Sequence, residues 1–141
     1  SCVLISRETF DEFSKPYLAR AFAELGGGWV HYCGGTEDHV RMEGIQHHDL
    51  YCAVPDLHGL NFTTGFDLEH EIRKLIDNQV NFIGTVDRRE NEPLEVYFRR
   101  VLSLCTRRKG LFVGLEIKPE EREGALSMWH RLQDEMLPEP T

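Results

Sequence analysis

Residues 26 to 35, Gly-Gly-Gly-Trp-Val-His-Tyr-Cys-Gly-Gly, place an imidazole and a thiol two positions apart at the end of a short apolar run. Side chains alternate faces along a strand, so His31 and Cys33 project together while Tyr32 projects the other way. Imidazole nitrogen and thiolate sulfur are favoured zinc ligands, and a catalytic zinc takes three protein ligands while keeping a fourth position for water or substrate. The pair can therefore supply two ligands of a zinc site. The competing reading is packing, because cysteine is among the most buried residue types and a two-residue match is a weak pattern. His47-His48 is a second pair of metal-capable residues, but adjacent side chains on a loop converge poorly, and an exposed polar loop is the simpler expectation.

The elements that must position His31 and Cys33 follow from periodicity. Phe10, Phe13, Tyr17, Ala21 and Leu25 recur at helical spacing, with Pro16 separating a short opening turn from a longer helix. The glycine triplet ends that helix, and residues 29 to 33 follow as a strand. Thr36 is then placed to cap a helix whose first turn is acidic. The same unit returns three times. Residues 57 to 62 lead into a helix beginning at Leu68, 80 to 86 into a helix beginning at Pro93, and 110 to 117 into an amphipathic segment after Pro119. Residues 45 to 56 fit no clear period and read as a helix extension or an insertion loop.

Four successive βα units call for an α/β fold with a parallel sheet covered by helices, and a repeat of roughly 25 to 30 residues matches the units of a (β/α)8 barrel. A full barrel takes about 250 residues, so 141 residues hold half of one. The expectation is a single partial-barrel domain over residues 1–141, a fragment of a longer chain, with a small open four-stranded sheet as the alternative.

Barrel sites are assembled at the C-terminal ends of several strands. That rule nominates Asn61 and Thr63, Thr85 and Asp87, and Glu116 as partners for His31 and Cys33. Among them Asp87 is the candidate catalytic carboxylate, Asn61 the candidate cofactor contact and Glu116 the candidate third metal ligand. For Asp87 and Glu116 the alternative is acidic placement near helix N-termini, where the dipole favours negative charge. Cys105 follows a helix and precedes a strand, which puts it at the opposite end of the sheet and removes it as a ligand. His70 and His130 fall in helical segments as surface or partly buried residues, and Trp29 and Trp129 read as packing anchors.

A net charge of −8 and a pI near 5.3 argue against a phosphate-neutralising surface, hence against nucleic acid as a partner. The short basic clusters at Arg88-Arg89, Arg99-Arg100 and Arg107-Arg108-Lys109 read as solvated surface. No stretch approaches the roughly 20 apolar residues of a membrane helix, and no secretory pattern opens the chain. The expectation is a cytoplasmic protein whose four irregularly spaced cysteines are reduced.

The segment from Leu4 to Gly35, with its Ser-x-x-x-Phe helix entrance, its Pro-Tyr helix and its strand ending His-x-Cys-Gly, resembles the uroporphyrinogen decarboxylase superfamily. Residues 81 to 104 are similar to that superfamily's later strand, which ends in a Gly-Asn-Val-Asp-like turn before a helix. The resemblance covers nearly the whole chain and maps onto the second half of a (β/α)8 barrel. His-x-Cys-Gly characterises the branch of cobalamin-dependent methyltransferases, in which zinc activates a thiol acceptor. The resemblance thus implies zinc at His31 and Cys33 and a corrinoid as methyl donor. In those methyltransferases the third ligand is a cysteine in a Pro-Gly-Cys-like turn after the last strand. Here Leu115 stands in its place with Glu116 beside it, so a carboxylate would replace the thiolate. The decarboxylase's arginine-rich substrate loop and catalytic aspartate belong to the first half of the barrel.

The leading expectation is zinc-dependent methyl transfer between a corrinoid and a thiol. The alternatives are the lyase chemistry of porphyrinogen decarboxylation and a non-catalytic half-barrel assembly module. Uncovered strand edges are templates for pairing, so either self-association or a missing N-terminal half is expected as partner.

Overall fold

The computed structural model describes residues 5–32, 48–62, 68–106 and 108–137. The candidates Cys33, Thr63 and His47, the proposed cap at Thr36, and Cys2 lie outside the described residues.

The chain opens with α1 (Arg7–Thr9), whose Ser6 hydroxyl accepts from the Thr9 amide, a π-helical turn at Phe10–Ser14, and α2 (Lys15–Leu25). The expected break at Pro16 takes the form of a bulge. Proline has no N–H to return to the carbonyl four residues back, and the Lys15 amide pairs instead with Phe10. The wider turn carries the helix past Pro16 without interruption. Each glycine of the triplet has its own task. Gly26 adopts the left-handed conformation that caps α2, Gly27 returns its amide to the Phe22 carbonyl at 2.8 Å, and a Cβ on Gly28 would lie 2.1 Å from the Phe22 ring.

Strand β1 (Gly28–Tyr32) leads to α3 (His48–Cys52) and β2 (Leu57–Phe62). Then follow α4 (Leu68–Asp77), β3 (Asn81–Thr85), α5 (Leu94–Leu102) and β4 (Leu111–Gly114). A 3-10 turn at Pro119–Glu121 opens the closing helix α6 (Arg122–Met136), which kinks where Gly124 takes a positive φ. The four strands form one all-parallel sheet in the order β1-β2-β3-β4. The fold is therefore α/β, with strands and helices alternating as expected.

The sequential order has a geometric consequence. Parallel crossovers share one hand, so strands added in a single direction put their helices on one face. Burial follows that division. Leu60, Phe62, Phe82 and Val86 pack with Ile72, Leu75, Tyr97, Phe98 and Leu132 in the core, while Trp29 and Phe112 on the other face are 57% and 67% exposed. Trp29 is thus a corrected expectation, a surface ring instead of a packing anchor. Trp129 does anchor α6, meeting Phe98 edge-on at 5.1 Å between ring centres.

Candidate functional site

Strand alternation puts Trp29 and His31 on the exposed face of β1 and turns Val30 toward the core. Across the sheet His31 pairs with Asn61 of β2, and the next position along the β2–β3 ladder, after Leu60 and Phe82, is Ile83. The side chains complete this row. The Asn61 amide nitrogen donates to the Ile83 carbonyl, and the Asn61 oxygen meets Nδ1 of His31. A carbonyl only accepts, so the nitrogen of the carboxamide must face Ile83 and its oxygen must face the imidazole. An imidazole that donates from Nδ1 to this oxygen has its ring acceptor at Nε2. That donor set fits a zinc ligand, because a ligating histidine characteristically gives its other N–H to an orienting acceptor.

Glycine makes room around this row. A Cβ at Gly84 would stand 2.7 Å from the Phe82 ring and 3.3 Å from the Asn61 amide nitrogen. A Cβ at Gly59 would collide with Ile83 at 2.7 Å. With Gly59 bare, Trp29 lies over β2 and reaches Phe112 of β4, 5.9 Å between ring centres.

The structure joins His31 and Asn61 by a hydrogen bond, and Asp87 and Glu116 follow the C-terminal ends of β3 and β4. Asp87 is exposed, and its backbone carbonyl accepts from Arg100 at 2.9 Å. Glu116, also exposed, accepts from the Arg88 amide at 3.3 Å, while its own amide donates to the Tyr97 hydroxyl at 3.2 Å. That hydroxyl donates to the Val86 carbonyl at 2.5 Å, so Tyr97 ties the exit of β3 to the exit of β4. Thr85 is exposed at the last position of β3. Among the described residues no three His, Cys, Asp or Glu side chains converge as a metal cluster. Cys33 stands outside that set.

A network of charges braces the loop between β3 and α5. Arg88 grips Glu121 with two bonds of 2.5 and 2.8 Å and gives its Nε to the Glu92 carbonyl at 2.7 Å. Arg100 bridges Glu92 and Glu69 and lies over the Tyr97 ring at 5.4 Å. The guanidiniums hold Glu92 and Glu121 far below the usual carboxylate range, each at about 2. Here the sequence expectation of solvated arginines is corrected. The side chains of Arg88 and Arg100 are only 7% and 12% exposed, because each has carboxylates to neutralise it.

His48 corrects the expectation of an exposed loop. It opens α3 fully buried, with Nδ1 2.6 Å from a Glu71 oxygen and its ring against Phe62 at 4.3 Å. Burial pushes the imidazole below its ordinary value despite the neighbouring carboxylate. Nothing in the dipeptide His47-His48 signals this; the cue lies 23 residues on, where Glu71 falls on the apolar side of α4 beside Ile72 and Leu75. His70 and His130 are exposed, as expected. Burial raises the thiols of Cys52 and Cys105 to about 11, which leaves both poor nucleophiles. Cys105 follows α5 and precedes β4, at the end of the sheet away from His31.

Comparison with protein-family profiles, with curated proteins and with solved structures returned no match to the chain.

Proposed function

We propose that the chain is the C-terminal half of a uroporphyrinogen-decarboxylase-like (β/α)8 barrel that serves zinc-dependent methyl transfer from a corrinoid to a thiol. One observation carries the reading: the Asn61 carboxamide, fixed on the Ile83 carbonyl, presents its oxygen to Nδ1 of His31, the kind of orienting acceptor that a metal-ligating histidine characteristically has. The singly wound order of the sheet supports the barrel half, since a closed barrel keeps all its helices outside and lines its interior with the opposite face. His31 and Cys33 would hold the zinc, with Glu116 the proposed third ligand. When bound, zinc would lower the pKa of an acceptor thiol so that a thiolate exists near neutral pH. Asp87, exposed at the end of β3, would face the substrate side as the catalytic carboxylate.

The test is a cobalt(II) and zinc titration of the reduced protein, with His31→Ala, Cys33→Ser and Glu116→Gln variants alongside. Uptake of one metal per chain, with a sulfur-to-cobalt charge-transfer band that Cys33→Ser abolishes, supports the site. Addition of a small thiol to the zinc-loaded protein should then release a proton. Equal metal uptake by the original chain and Cys33→Ser would overturn the assignment.

A further inference from the structure

We propose that the cavity between β4 and α6 is a binding site for a small carboxylate with an apolar body, an arylalkanoate or a short fatty acid, with Lys109 holding the carboxylate and Trp129 receiving the body. β2 and β3 separate this edge of the sheet from His31 on β1, and the proposal draws nothing from the methyl-transfer reading.

The cavity measures about 300 Å3, at the small end of the range that ligand sites occupy. Leu111 and Val113 alternate onto the helix side of β4, and Leu115 continues their row beyond the strand. Trp129 and Gln133, one turn apart on α6, form the facing wall. Cys105, Arg108 and Lys109, between α5 and β4, close one end. This end is pinned to α6, because Arg108 pairs with Asp134 and gives its Nε to the Leu137 carbonyl at 2.8 Å.

Charge selects the occupant. Asp and Glu outnumber Lys and Arg by 24 to 16 along the chain, yet among the described residues no carboxylate lines this cavity, while two cations do. Asp134 already neutralises Arg108 in part. Lys109 makes no ion pair among the described residues, so its positive charge stands beside an apolar cavity without a counterpart. Burial raises the Cys105 thiol to about 11, which keeps it protonated and adds no competing negative charge near neutral pH. A carboxylate at Lys109 would leave its hydrocarbon end over Val113 and Trp129, where removal from water supplies the affinity and the exposed ammonium supplies the selection. A cationic ligand would meet like charge instead.

Trp129 is the reporter, since Trp29→Phe leaves it the one indole in the chain. Dilute Trp29→Phe protein is titrated with 3-phenylpropionate, with octanoate and with the uncharged 3-phenylpropanamide. A saturable change in Trp129 emission is expected with a carboxylate, and binding of the amide should be about fivefold weaker than that of 3-phenylpropionate. Adding Lys109→Gln should weaken carboxylate binding by about the same factor and narrow the preference over the amide. Val113→Phe, which fills the cavity, should abolish binding, and Gln133→Phe on the facing wall serves the same purpose should the strand variant fail to fold. No saturable change with either carboxylate at millimolar concentration would overturn the proposal. Equal affinity for acid and amide, or undiminished binding in a folded cavity-filling variant, would overturn it as well.

Discussion

Arg100 closes on Glu92 through two hydrogen bonds of 2.8 Å, Nε to one carboxylate oxygen and Nη2 to the other. The second oxygen also accepts from the Arg89 amide at 3.0 Å. These bonds hold Glu92 at about 2, against an ordinary 4.5. The unfolded chain therefore takes up a proton between those values before the folded chain does. The stabilisation is complete above the ordinary carboxylate range and is lost as the pH falls from 4.5 through about 2. Glu121, held at about 2 by Arg88, acts in the same direction. Denaturant melts at pH 7, 4 and 3 should show this decline. Glu92→Gln should cost about 1–3 kcal/mol at pH 7, as loss of a charge-assisted bond does, and should flatten the acid slope. An unaltered slope in that variant would contradict the assignment.

His48 gives a second pH signature at a higher range. Burial depresses its imidazole from the ordinary 6.5, so the unfolded chain is protonated first as the pH drops below that value. Stability should decline from pH 7 toward 5.5 by this route, and His48→Leu should remove that component. The same substitution strips the buried Glu71 carboxylate of its 2.6 Å partner, for an expected loss of about 2–4 kcal/mol at pH 7. Urea titrations of both proteins across that range decide it. A leucine variant as stable as the original would show that Glu71 does not depend on His48.

The elements were legible where period and composition agreed. Alternation marked the strands, and the order strand–helix repeated four times predicted the parallel sheet that is observed. Side-chain partners far apart in sequence were not legible. Asn61 offers no sign that Ile83, 22 residues on, will turn its amide, and the rows that join His31 to Asn61 exist only once the strands are in register. The paired arginines misled for a similar reason. Arg88 and Arg100 look solvated in sequence, yet Glu121 and Glu92 let them approach the core. Trp29 read as buried because its size implies it, whereas alternation from Val30 puts it on the face away from the helices.

Tyr97 links the ends of β3 and β4 through a single hydroxyl, fully buried, that donates to Val86 and accepts from the Glu116 amide. Tyr97→Phe leaves both backbone groups without that partner and should cost about 1–3 kcal/mol. The local effect is more diagnostic. Amide exchange at Glu116 should accelerate in the variant while that of Ile72 on α4 changes only with global stability. Equal protection of Glu116 in both proteins would place its restraint elsewhere.

Trp29 and Phe112 give the sheet's exposed face an aromatic pair, and neither β1 nor β4 has a strand on its outer edge among the described residues. Apolar area leaving water contributes about 25 cal/mol per Å2, and rings of this size carry about 150–250 Å2 each. Covering the exposed half of either ring is then worth roughly 2–4 kcal/mol, a gain that offsets part of the cost of association and so tells at high concentration. The expectation is concentration-dependent self-association, with Trp29→Gln and Phe112→Gln each weakening it. Light scattering over a wide concentration range measures the association, and binding of an apolar fluorescent dye measures the patch. Acrylamide should quench Trp29 more readily than the half-buried Trp129 at low concentration, and the difference should shrink as the protein is concentrated. A monomer at all concentrations, with Trp29 quenched throughout, would mean that water alone suffices for this face and that edge pairing is not driven by it.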